Sequence, residues 1–222
     1  MRERVNSKAD HVYGELKEAI LAGILEPGEP IDKPTLCARL GVSRFPISAA
    51  VSRLAFESLV VIEPQHGSFV ARISAADVRE RLFVRRALEC EIAAEAARRL
   101  PREGREALHE NLAREREAAA ADDRRAFCAL DVDLHQALTT HLGLRRSGEI
   151  LDGLRAHLER VGRLLMAPEG RVRAVLAEHA AIVAAIEAGD AAAAHAAMRR
   201  HLTNIAAQFE AFARERPASF SP

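Results

Sequence analysis

The chain has 222 residues, of which 49% are hydrophobic, 29% charged and 4% aromatic, and its formal net charge is zero. This length supports one large or two small domains with a buried core. The charge balance, which residues 1–73 share, excludes a uniformly basic domain, so any contact with nucleic acid must come from a few placed cations.

In chain order, Asp10 to Ala22 carries Val12, Leu16, Ala19 and Ile20 at helical spacing, and Gly23 ends that helix. Pro27-Gly28-Glu29-Pro30 reads as a turn. Lys33 to Leu40 forms a second short helix closed by Gly41, where a tight turn needs a residue free of Cβ restraint. Ser43 can cap a third helix to about Ser58, with Ile47, Val51 and Leu54 inward. Val60-Val61-Ile62 and Ser68-Phe69-Val70 read as strands joined by a hairpin tip at Pro64-Gln65-His66-Gly67. Helix, helix, turn, helix and hairpin is the order of a winged helix-turn-helix.

From Ser74 onward alanine, leucine, arginine and glutamate dominate, a composition that favours helices. The pattern predicts six, over 75–100, 102–121, 123–141, 145–166, 169–188 and 190–214. Breaks fall at Pro101, Asp122-Asp123, Gly143, Pro168 and Gly189-Asp190. The expected fold is mainly α: a winged helix-turn-helix over 1–73 and an antiparallel six-helix bundle over 74–222. Cys37, Cys90 and Cys128 are far apart and lack CxxC spacing, no apolar leader follows the first residues, and no stretch approaches the roughly 20 apolar residues that span a bilayer. These features predict a cytoplasmic protein with reduced thiols and no membrane partner.

Polar residues on inward faces point to a site. Asp131 and His135 are four apart on one helix face. His179 falls in the stripe Val175, Leu176, Ile182, Val183, Ile186, and His201 in the stripe Met198, Ile205, Phe209, Phe212. A lone core histidine is usually a satisfied packing residue. Four such groups from three helices are better explained by a shared cation, because burying them unpartnered is costly. The ligand types suit a divalent metal, zinc first, with nickel, manganese or iron also compatible. His11, His109, His141, His157 and His195 read as surface residues.

Residues 12–73 resemble the GntR superfamily. Val12-Tyr13-Gly14-Glu15-Leu16 through Ile24-Leu25-Glu26-Pro27-Gly28-Glu29 is similar to its opening helix. Leu40-Gly41-Val42-Ser43-Arg44-Phe45-Pro46-Ile47 is similar to the entry into its recognition helix, and Leu59-Val60 with His66-Gly67-Ser68-Phe69-Val70 to its wing. The second half resembles the FCD ligand-binding domain of the FadR-like branch in its six-helix, VanR-like form. The resemblance implies a homodimeric, ligand-responsive transcription regulator, repressor or activator, that binds a double-stranded operator with Ser43, Arg44, Phe45, Ser48, His66 and Gly67. It also implies that Asp131, His135, His179 and His201 hold the metal. Arg85, four residues before Glu89, and Asn204, one turn from His201, are then candidates to bind a small organic acid.

One departure stands out: the family usually carries arginine at Ser48, so an atypical operator is expected. A metal-dependent hydrolase would leave residues 1–73 unexplained and lacks an evident general base beside the ligands. A pure metal-sensing regulator is the nearer alternative.

Overall fold

The computed structural model describes residues 8–166 and 170–221, the side chains of 156 and 157 aside. Two compact units emerge: Met1–Ala75 with Arg216–Pro222, and Ala76–Glu215.

The first unit contains α1 (Lys8–Leu21), α2 (Lys33–Leu40), α3 (Arg44–Phe56), β1 (Val60–Glu63), β2 (Gly67–Val70) and β3 (Ile73–Ser74). Asp32 caps α2 by accepting from the Thr35 amide, and Gly41 ends it in the left-handed region at φ 62°. β1 and β2 form the expected antiparallel hairpin, Val60 opposite Val70 and Glu63 opposite Gly67. Val12, Leu16, Ile20, Ile47, Val51 and Leu54 are fully buried and pack α1 against α3. A polar knot fastens the far end of α3. Glu57 accepts hydrogen bonds from Tyr13 at 2.6 Å and Lys17 at 2.9 Å, and the Arg53 guanidinium stacks 3.6 Å above the Tyr13 ring.

The second unit is all helix: α4 (Ala75–Arg99), α5 (Arg102–Ala120), α6 (Arg124–His141), α7 (Arg145–Leu165), α8 (Arg171–Glu187) and α9 (Ala191–Glu215). The six expected helices are present, with ends shifted by a few residues; the expected break at Pro168 lies outside the described residues. α5 packs on α6 and α8, α6 on α7, and α9 on α8 and α7, around a core that includes Ala93, Leu134, Leu138, Ile182, Ile186 and Met198. No described helix is long and apolar enough to cross a membrane.

The tail departs from the sequence expectation, which left residues 216–222 with the bundle. Pro217 cannot continue the α9 ladder. A short 3-10 turn (Pro217–Ser219) leads instead to β4 (Phe220–Ser221), which pairs in parallel with β3, Ile73 opposite Phe220. Phe220 is 7% exposed and Ile73 8%, so this strand joins the first unit through an apolar contact as well as a ladder. Phe220→Ala should destabilise that unit by about 3 kcal/mol. Urea unfolding followed by the fluorescence of Tyr13, the chain's single tyrosine and itself in this unit, reads the change.

Candidate metal centre and DNA-contacting surface

Asp131 and His135 on α6, His179 on α8 and His201 on α9 meet inside the bundle, one ligand-type atom from each lying within 4.8 Å of all the others. His179 and His201 are fully buried and His135 is 2% exposed. The Asp131 side chain keeps 20% exposure. The imidazoles crowd together, with ring centroids 4.8 Å apart for His179 and His201 and 5.3 Å for His135 and His201. Nε2 of all three histidines and Oδ1 of Asp131 are buried without a hydrogen-bond partner. His179 Nε2 approaches Asp131 Oδ1 at 3.3 Å without hydrogen-bond alignment. Buried polar atoms are normally satisfied, so four orphans aimed at one point fit a cation.

The opposite ring nitrogens explain the orientation, and here the structure adds residues the sequence reading missed. His179 Nδ1 lies 2.9 Å from Glu115 on α5, and His201 Nδ1 lies 2.8 Å from Glu178 on α8. His135 Nδ1 faces Glu89 on α4. A carboxylate that accepts from Nδ1–H fixes the tautomer that presents a bare Nε2. The carboxylates absent from the hydrolase argument therefore exist, but each is engaged in holding a histidine.

Electrostatics separate the histidines. Burial works against charge on His179, but the nearby Asp131 carboxylate and the bonded Glu115 carboxylate prevail and raise its pKa to about 9. For His201, burial and repulsion from His179 and His135 outweigh the Glu178 bond and lower it to about 4. Asp131 resists its own burial: the three histidines hold it below the usual carboxylate range.

Arg85 and Glu89 are paired as the spacing suggests, but not on the surface. They are 7% and 2% exposed, with Arg85 Nε 2.8 Å from Glu89 Oε1. The pair therefore follows the rules of buried ion pairs, where removing one partner strands the other, rather than those of a surface helix pair. Glu89 also accepts from Arg155 on α7 at 3.3 Å. A cavity of about 540 Å³ opens between α6 and α7, and Asp131, Arg85 and Arg155 all line it. Asn204 does not line this cavity: its Nδ2 donates to Glu178 at 2.8 Å, because one helical turn from His201 brings it to that residue's carboxylate partner.

In the first unit, Ser43, Arg44, Phe45 and Ser48 are exposed along one side of α3, while Pro46, Ile47 and Ala50 face the core. Ser43 occupies the N-cap position but its side chain makes no capping bond, unlike the expectation. Phe45 is 81% exposed, an unusual position for a phenylalanine. His66 and Gly67 are exposed at the hairpin tip, and Gly67 takes φ 126°, open to glycine alone without strain. Arg53, the other cation of α3, is committed to Tyr13 and Asp10.

A winged helix-turn-helix joined by the chain to a helical unit with a buried polar centre defines a one-component transcription regulator. The chain belongs to the GntR family of bacterial regulatory proteins, matching that family over residues 8–70 and the FCD domain over residues 80–204. It is 30% identical over 210 residues to the HTH-type transcriptional repressor RspR of Escherichia coli K12, covering 95% of this chain and 92% of that protein. It is also 30% identical over 188 residues to a D-xylose utilization operon transcriptional repressor of Paenarthrobacter nicotinovorans, covering 82% and 80%. A GntR regulator from Rhodococcus sp. RHA1 shares the fold at a TM-score of 0.68 and 27% identity, over 92% of this chain and 98% of that one. These matches make the protein a transcription regulator rather than an enzyme.

Proposed function

We propose that this regulator senses a small carboxylate at a divalent metal, zinc first among the candidates, held by Asp131, His135, His179 and His201. One observation carries the reading: three imidazole Nε2 atoms and a carboxylate oxygen are buried and unpartnered, in a cluster whose ligand-type atoms lie within 4.8 Å of one another. A bound cation would supply a Lewis-acidic seat for a carboxylate oxygen. Asp131, partly exposed on the cavity wall, lies at the only edge of the cluster among its four residues that is not closed to solvent. This favours an organic effector over the metal alone as the signal. Arg85 sits in the same wall as a fixed positive charge for the acid, while Asn204 acts through Glu178, which orients His201.

The output is operator binding. As a homodimer in the cytoplasm, two copies would place α3 in successive major grooves of a two-fold site. Arg44 offers a bidentate fork to guanine and Ser43 a hydroxyl to phosphate at the helix N-terminus. Phe45 and Ser48 complete that face, and His66 and Gly67 bring the wing close to the backbone. GntR-family relatives named as repressors support the same output for this chain.

Calorimetry with zinc tests the metal half. The account expects one zinc per chain. It also expects proton release at pH 7.5, because metal must displace the proton on His179, whose pKa is raised to about 9. Comparing buffers of different ionisation enthalpy gives the proton count. Absence of stoichiometric binding overturns the metal site, and operator affinity that responds to zinc with no acid present favours the metal-only sensor.

A further inference from the structure

The cavity beside Asp131 is lined by Arg85, Arg125, Arg155 and Arg163, and Arg155 in the α7 wall stands out. Arg155 is 7% exposed, lines that cavity, and has its Nε buried with no hydrogen-bond partner. Its other contacts are long for charge-assisted bonds: Nη2 to Glu89 Oε1 at 3.3 Å and Nη1 to Asp152 Oδ1 at 3.3 Å. Glu89 is also oversubscribed, because Arg85 takes the same oxygen at 2.8 Å and His135 faces the other. One buried carboxylate thus serves two buried guanidiniums and an imidazole. Asp152 is a loose partner, 52% exposed and bonded as well to Gln136. A fixed, under-satisfied guanidinium in a cavity wall is a donor site open to an anion.

The cavity wall is apolar in part. Val132, Leu158 and Met166 share the wall, and about 540 Å³ exceeds what a two-carbon acid would fill. We infer that the effector is a dicarboxylate, its first carboxylate at the metal and Arg85, its second on Arg155, with methylenes against the apolar wall between them. This inference rests on the carboxylate-at-metal reading and adds the chemical class. The second carboxylate displaces Asp152 and shares Arg155 with Glu89, so the ligand reaches the carboxylate that positions His135.

The experiment uses the zinc-loaded full-length protein and titrates butyrate, valerate and hexanoate against succinate, glutarate and adipate. At least one diacid should bind at least tenfold tighter than the monoacid of equal length. Arg155→Met should remove that preference, and Arg155→Lys, which keeps charge but not the fork, should retain part of it. Asp152→Asn should leave the preference intact or increase it. Zinc content and melting temperature of each variant separate loss of the subsite from loss of the fold. Equal affinity for mono- and diacids in a zinc-dependent manner overturns the dicarboxylate class alone. Failure of every acid to bind overturns the carboxylate-at-metal reading with it, and an Arg155→Met variant that keeps the diacid preference overturns the role of Arg155.

Discussion

Zinc added to the metal-free protein should raise the melting temperature of the helical unit by about 8–16 °C when free metal stands about a thousandfold above its dissociation constant, a linkage of about 4 kcal/mol. The size follows from the site's construction. Without the cation, His179 must keep a proton in a fully buried setting beside His201 and His135, and four polar atoms lack partners. The cation removes both defects together. His179→Ala should abolish the zinc-dependent rise while the hairpin unit unfolds as before, because His179 lies in α8 and its contacts are confined to the bundle. Differential scanning calorimetry with and without chelator makes the measurement. An unchanged rise in the variant would place the zinc elsewhere.

Arg44→Ala should weaken binding to the selected operator by about 1–3 kcal/mol, roughly 5- to 150-fold, while leaving binding to random DNA much less affected. Arg44 is exposed at the first turn of α3, where a guanidinium can reach a base edge. Arg53→Ala is the contrasting variant: its guanidinium is stacked on Tyr13 and paired with Asp10, so its loss should lower stability rather than specificity. Because Ser48 replaces the usual arginine, operator selection should return a half-site that differs from the family's common one. Fluorescence anisotropy on specific and random duplexes at several salt concentrations separates base reading from phosphate attraction.

Periodicity made the helical half legible to within a few residues, because each break among the described residues coincides with a proline, a glycine or a capping aspartate. The four candidate ligands were legible for the same reason, being polar residues inside apolar stripes. Their carboxylate partners carried an equivalent signal. Glu115 lies in the buried series Leu108, Asn111, Leu112, Ala118, and Glu89 follows Leu82 and Arg85 on the buried face of α4. These looked like ordinary residues of charged helices because glutamate is common there, and only three-dimensional pairing separates them from the solvated ones. Glu178 gave less warning: it is adjacent to His179 in sequence yet serves His201 on another helix. The β3–β4 pairing joins residues about 150 positions apart through two-residue strands, too short for any period to reveal.

The most direct test of the account is operator affinity measured by anisotropy on zinc-loaded protein, with and without a saturating dicarboxylate, and repeated on His179→Ala. Coupling between the helical unit and the DNA-binding unit predicts a change of at least about fivefold on adding the acid, absent from the variant. An operator affinity that stays the same with zinc, without zinc and with the acid would contradict it.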